Sequence, residues 1–300
     1  MTTTRHALSD KDADVMLQIR AGLKGVKGTV RGPDARASYD KLMERVASVE
    51  KIESEQGVVG GVSGMWVRPT SGPADLAILY FHGGAYVVGS PRAYLNFVGQ
   101  IASRSGIPAF VADYGLAPER PFPAAIEDAL AAYNGLVGQG IRHIALAGDS
   151  AGGGLALALL SQVKNASPAP RSAVAISPWT DLALTSPSML SRDAADPIWN
   201  AAALADMARL YLGDTAPRDP LASPVYSNRH GLPPVLVHVG DAEVLLDDSL
   251  RYAEGIEGIE VHVWDGMLHV FPTSVGIVDA AGAALDSIGG FVASSMTARA

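Results

Sequence analysis

Six short apolar runs punctuate the middle and end of the chain: "LAILYFH" (76–82), "IPAFVADY" (107–114), "HIALAG" (143–148), "SAVAISPW" (172–179), "PVLVHVG" (234–240) and "IEVHVW" (259–264). Each is bounded by turn residues, the mark of a strand buried on both faces. Helical patterns at about 92–104, 123–137, 151–164, 246–255 and 274–296 separate or follow them. Such alternation implies an α/β fold, with a mostly parallel twisted sheet and helices on both sides. Upstream, "GVVGGVSGMWVRP" reads as two more strands around a glycine turn, for about eight in all.

Two stretches stand outside the alternation. The first is the N-terminal region. Residues 9–24 have a helical pattern opened by Ser9 and Asp12 as a capping box and closed near Gly25. Residues 38–51 form a second, with Leu42, Val46 and Val49 on one face. The second stretch lies between "SPWTDL" and "PVLVHVG" and includes the helical "NAAALADMARLYLG" (200–213). It is too long for a simple crossover. The expected organisation is one domain over 1–300, with a helical cap built from about 1–53 and 183–220.

Composition excludes several functions. The formal charge is −8 and no basic run occurs, which argues against a nucleic-acid grip. There is no cysteine, so disulfides, thiolate catalysis and Cys-ligated zinc are out. The histidines do not fall at ligand spacings, and no metal or other cofactor is expected. The first residues lack the apolar core of a signal peptide, and no run suits a membrane span. The charged N-terminal helices without aromatic anchors favour a packed cap over a membrane anchor. A cytoplasmic location is the expectation.

"GDSAGG" (148–153) follows a strand and opens a helix. Strand, G-x-S-x-G, helix is a nucleophile elbow, with glycines where side chains would collide across the sharp turn. It makes Ser150 the candidate nucleophile. A serine hydroxyl needs a base, and the base needs an acid, here following in the order Ser, acid, His. Of seven histidines, His269 lies in a loop after the last strand, where ligands meet parallel sheets. His6 is read as tail. His143, His238 and His262 lie in or beside strands, and His230 falls at the wrong end. For the acid, Asp241 and Glu243 both follow a strand closely, whereas Asp247 and Asp248 suit the start of a helix. "HGGA" (82–85) after a strand supplies backbone donors for a developing oxyanion. The expected donors are the N–H groups of Gly83, Gly84 and Ala151, with His82 bracing the loop. Asp149 is expected to turn away from the site and brace a neighbouring loop.

Together these segments resemble the hormone-sensitive-lipase-like esterases, the bacterial family IV of the α/β-hydrolase fold. The resemblance covers roughly residues 55–275. It rests on "HGGA", "DYGLAPERPFPAAIEDA" (113–129), "GDSAGG", "SPWTDL" (177–182), "ASPVYS" (222–227), "PPVLVHVGDAEVLLDD" (233–248) and "GMLHVF" (266–271), in that order. The family's "Asp-Pro-Leu-x-Asp" segment aligns with "Glu-Val-Leu-Leu-Asp" (243–247), which favours Glu243 over Asp241 as the acid. Gly115 stands where the family usually has arginine, a change that bears on a structural salt bridge and not on the triad.

The resemblance implies a cofactor-free serine carboxylic-ester hydrolase for small-molecule esters of short to medium acyl chain. A lactone hydrolase with the same residues is the close alternative. A non-catalytic small-molecule-binding protein on the same fold is the distant one. Dimers are common in the family, and no residue here marks a dimer face.

Overall fold

The computed structural model describes residues 1–297. Nine strands form one sheet: β1 (Thr2–His6), β2 (Ile52–Val59), β3 (Val62–Pro69), β4 (Leu76–Phe81), β5 (Ala109–Ala112), β6 (His143–Asp149), β7 (Ser172–Ile176), β8 (Val235–Gly240) and β9 (Ile259–Trp264). Their order is β1-β9-β8-β7-β6-β4-β5-β3-β2. β2 and β3 form an antiparallel hairpin, β3 pairs antiparallel with β5, and every other pairing is parallel.

The helices are α1 (Asp10–Gly22), α2 (Arg36–Met43), α3 (Leu95–Ser105), α4 (Ala124–Gly138), α5 (Ser150–Val163), α6 (Ser188–Ser191), α7 (Ala201–Leu212), α8 (Leu246–Ala253) and α9 (Asp279–Thr297). Alternate strand residues feed two cores. Leu79, Phe81, Leu146 and Val237 face the side of α4, α5 and α7, while Ile78, Tyr80, Ala145 and Leu236 face the side of α3 and α9. In α5, Leu155, Leu157, Leu159 and Leu160 are all buried. Each contributes about 1.5–3 kcal/mol of apolar burial, which holds the elbow helix against the sheet.

The six apolar runs and the hairpin all become strands, as predicted. The ninth strand, β1, is not evident in the sequence, which presents it as tail. "TTTRH" carries no apolar run because an edge strand of this kind leaves most of its side chains exposed. It pairs in register with β9, Thr2 opposite Glu260 and His6 opposite Trp264. α2 is shorter than the predicted 38–51 helix: Val46 is buried beyond its end, while Leu42 is 56% exposed. α9 begins at Asp279, because residues 271–274 form a separate 3-10 turn. No helix among the described residues is long and apolar enough to cross a membrane.

The N-terminal segment is fastened at several points. The Ser9 hydroxyl accepts from the Asp12 N–H, half of the predicted capping box. The Asp12 carboxylate reaches instead across the fold, accepting from the N–H groups of Asp279 and Ala280 at 2.8 and 3.0 Å. It thereby satisfies the first turn of α9 from another helix. Further on, Gly28 N–H donates to the Ile198 carbonyl, and Arg31 pairs with Asp206. Residues before β2 and residues after β7 are thus joined to each other directly.

Asp12→Ala should lower the unfolding free energy by about 1–2 kcal/mol, the worth of a lost helix cap. A urea midpoint unchanged from the wild type would show that this cross-helix cap contributes nothing.

Candidate active site

The elbow depends on close backbone approach. A Cβ on Gly152 would stand 2.0 Å from the Phe81 carbonyl oxygen, and one on Gly148 would stand 2.3 Å from the Gly152 carbonyl oxygen. Neither neighbour can yield, since both are main chain. Between them Ser150 takes a φ of 53°, in the left-handed region that costs a non-glycine residue about 1–2 kcal/mol. The turn lifts its hydroxyl off the C-terminal end of β6.

Ser150 Oγ lies 2.9 Å from His269 Nε2, and His269 Nδ1 lies 2.5 Å from Glu243 Oε2. Glu243 is fully buried. Its other oxygen accepts from the Ser177 hydroxyl at 2.7 Å and the Gly240 N–H at 2.8 Å. Ser177 Oγ in turn accepts from the Val270 N–H at 3.0 Å, beside His269. Burial by itself would lower the His269 pKa. The Glu243 carboxylate outweighs it, by charge and by hydrogen bond, and the imidazole ends above its ordinary value. This linkage favours an imidazolium.

The other acids are committed elsewhere. Asp241 turns outward, pairing with Arg5 at 2.9 Å and accepting from the Gly266 N–H at 2.7 Å. Asp247 and Asp248 lie in the first turn of α8, as the sequence predicts, but neither side chain caps it. The Asp247 carboxylate accepts from the Ser188 N–H. Asp248 is fully buried and accepts from the N–H groups of Thr180 and Asp181 and from the Ser186 hydroxyl. Burial pushes its carboxyl up to about 7, against these bonds.

The loop after β4 corrects one of the predicted donors. Gly83 N–H is already engaged, donating to Asp149 Oδ1 at 3.0 Å and to the Tyr94 hydroxyl oxygen at 3.1 Å. The N–H groups of Gly84, Ala85 and Ala151 have no acceptor among the described residues. Ala85 has a φ of 52°, an angle that would ordinarily call for glycine and that its residue type does not signal. His82 Nδ1 lies 2.7 Å from the Gly83 carbonyl oxygen, and the ring stacks on Tyr114 at 4.5 Å between centroids. Burial lowers its pKa to about 4, so it is neutral near pH 7.

Asp149 is buried beneath this loop. It accepts from the Tyr80 hydroxyl at 2.8 Å and the Tyr94 hydroxyl at 3.0 Å besides Gly83. Burial raises its carboxyl to about 6, while the two tyrosine hydroxyls pull the other way. Near Gly115, Arg120 makes two bonds to Asp128, which also accepts from the Gly115 N–H.

Two functional neighbours escaped the sequence reading. Asp196 is buried and accepts from the N–H groups of Ile198, Trp199 and Val244. It ties the segment after β7 to the residue following Glu243. Trp199 stands edge-on to His269 at 6.2 Å between centroids. The only advance signal was a tryptophan in a stretch otherwise read as insertion. His6 lies in β1, with its ring against His262 and Trp264 at the far edge of the sheet.

Above Ser150 and His269 lies a cavity of ≈ 150 Å³, lined by Leu23, Val26, Val30, Tyr39, Ile198 and Trp199 among others. Its walls are therefore mostly apolar and come from the N-terminal segment and the stretch after β7. Larger hollows, such as one of ≈ 420 Å³ beside Gln56 and Arg92, contain none of Ser150, His269 and Glu243.

Residues 78–273 match a family described as having the alpha/beta hydrolase fold. An acetyl-hydrolase of Streptomyces hygroscopicus is 39% identical over 264 residues, covering 83% of this chain and 88% of that protein. An esterase of Acinetobacter venetianus is 34% identical, covering 79% and 82%. Among solved structures, an esterase from the bacterial hormone-sensitive lipase family superposes with a TM-score of 0.87 at 36% identity, covering 97% of this chain and all (100%) of that one. A hormone-sensitive lipase from a metagenome library gives a TM-score of 0.89 at 34% identity, covering 97% and 100%.

An NMR titration of His269 should give a midpoint above the ordinary 6.5 in the wild type. Glu243→Gln removes the negative charge and leaves burial, so the midpoint should fall below that of the wild type. A midpoint that does not move would mean that Glu243 does not act on the imidazole.

Proposed function

The chain belongs to the bacterial hormone-sensitive-lipase-like esterases of the α/β-hydrolase fold, and from that premise we propose that it hydrolyses small carboxylic esters through a Ser150–His269–Glu243 triad. The observation that carries this reading is the unbroken hydrogen-bonded path from Ser150 Oγ through both nitrogens of His269 to a buried Glu243. Asp241, held by Arg5, is not part of it.

In the proposed reaction, Ser150 Oγ attacks the ester carbonyl carbon while His269 Nε2 takes its proton. Glu243 holds the ring by Nδ1 and stabilises the cation that forms. The N–H groups of Gly84, Ala85 and Ala151 receive the oxyanion. The C–O bond to the alcohol then breaks, and His269 returns the proton to the departing oxygen. Water attacks the acyl-enzyme by the same route and releases the acid. Asp149 stays outside the proton path and holds the Gly83 N–H away from the substrate.

The N-terminal segment and residues 183–220 act as the cap of this single-domain chain, since both line the cavity over Ser150. At ≈ 150 Å³ that cavity has room for roughly five groups of water size, taking about 30 Å³ for each. Its apolar lining suits an acyl chain. The substrate class is therefore short- to medium-chain acyl esters.

Steady-state assays with p-nitrophenyl esters, run beside a lactone panel, test the substrate class. kcat/KM should peak at about four to six acyl carbons and fall at least tenfold by about twelve. A preference for lactones over every acyl ester would reassign the activity to a lactone hydrolase. Wild-type protein with no turnover and no Ser150 labelling by a serine-directed phosphonate would leave only a binding role. For the acid, Glu243→Gln should lower kcat by about 10³–10⁴-fold, whereas Asp241→Asn stays within about twofold. The reverse pattern would transfer the role to Asp241.

A further inference from the structure

Helix α2 grips the loop that follows β4 at three successive points. The Arg36 guanidinium donates to the Val87 carbonyl at 2.8 Å. Asp40 accepts from the Ser90 hydroxyl at 2.9 Å. Between these contacts, the hydroxyl oxygens of Tyr39 and Tyr94 lie 2.8 Å apart. All three contacts fall on one face of α2, as residues three and four apart do.

The direction of the middle contact follows from proton counting. A tyrosine hydroxyl has one proton. That of Tyr94 is committed to Asp149 Oδ2, so Tyr94 must accept from Tyr39. The same Tyr94 oxygen also accepts from the Gly83 N–H. Donation thus runs from Tyr39 on α2 through Tyr94 to Asp149, and the first glycine of the oxyanion loop joins the chain by donating its N–H to Tyr94.

That loop needs anchoring. Ala85 and Tyr86 have φ values of 52° and 63°, left-handed angles that persist only where the surroundings over-determine them. Gly83 is the residue before the two N–H groups assigned to the oxyanion, so holding its N–H anchors the point from which the backbone that carries them starts. Tyr39 also lines the cavity over Ser150, so its hydroxyl reaches Tyr94 only while α2 is seated there.

We propose that Tyr39 is a positioning residue, coupling the seating of α2 over the substrate cavity to the aim of the Gly84 and Ala85 N–H groups. This inference rests on the esterase reading above. It differs from a packing role because the aromatic ring alone would line the cavity equally well. Only the hydroxyl enters the donor chain. Its loss should therefore weaken transition-state binding more than substrate binding.

The test compares Tyr39→Phe, Tyr94→Phe, the double variant and a control, Ser38→Ala, with p-nitrophenyl butyrate. Ser38 lies on the same helix and is exposed, its hydroxyl donating to the Ala35 carbonyl. A trifluoromethyl ketone, which adds to the serine as an oxyanion, reports on transition-state binding. Tyr39→Phe should lower kcat about tenfold, roughly one hydrogen bond's worth, and raise the ketone Ki by a similar factor. KM should stay within about twofold, and the control should match the wild type. Because Tyr39 acts through Tyr94, the double variant should be no slower than Tyr94→Phe alone.

Additive losses in the double variant would overturn the coupling, as would an unaltered kcat in Tyr39→Phe or an equal loss in Ser38→Ala. A rise in KM alone would make Tyr39 a substrate contact instead. Wild-type protein that turns over no ester removes the esterase reading and this inference together. Active wild type with an unaffected Tyr39→Phe removes the inference only.

Discussion

One buried carboxylate organises the working end of this sheet. Burying an ionised Glu243 costs several kcal/mol unless its oxygens find donors. The donors come from three neighbouring strands: the Ser177 hydroxyl just after β7, the Gly240 N–H at the end of β8, and the His269 ring beyond β9. Those three strand ends therefore cannot move apart without stranding a charge. Ser177 adds a second tie by accepting from Val270 N–H, which fixes the residue after the histidine. The imidazole is positioned from both sides of its own loop before any substrate arrives.

Other buried acids fasten loops in the same way. Asp149 holds the turn after β4, Asp196 joins the segment after β7 to the residue following Glu243, and Asp248 holds the segment directly after β7. Each accepts from three main-chain N–H groups or hydroxyls, one more than the two lone pairs of an amide or hydroxyl oxygen can take. Part of the chain's negative charge is thus internal structure and not surface. The total of −8 therefore overstates the charge carried at the surface.

Much of this was legible in the sequence, for physical reasons. Strands buried on both faces must be apolar throughout, so β4 to β9 were evident. Gly148 and Gly152 announced the elbow because no other residue fits beneath the Phe81 carbonyl. Ser150 and His269 followed from their places at strand ends. What stayed hidden depends on direction more than on residue type. Gly83 looks like an oxyanion donor until its N–H is seen pointing at Asp149. Ala85 looks inert until its backbone angle is known. Asp247 and Asp248 sit where a helix begins, yet they serve contacts from a distant loop. β1 was invisible because an edge strand needs hydrogen-bonding partners more than apolar side chains.

The position of β1 has a consequence for how the protein is made. Its partner strand, β9, spans Ile259–Trp264, near the other end of the chain. The residues of β1 thus leave the ribosome before those of every other strand of the sheet and are among the last to find their place. They must wait, unpaired, until almost the whole sheet has been synthesised, although domains otherwise tend to fold from the N-terminus as they emerge. Threonine-rich and nearly free of apolar side chains, "TTTRH" is well suited to that wait in water.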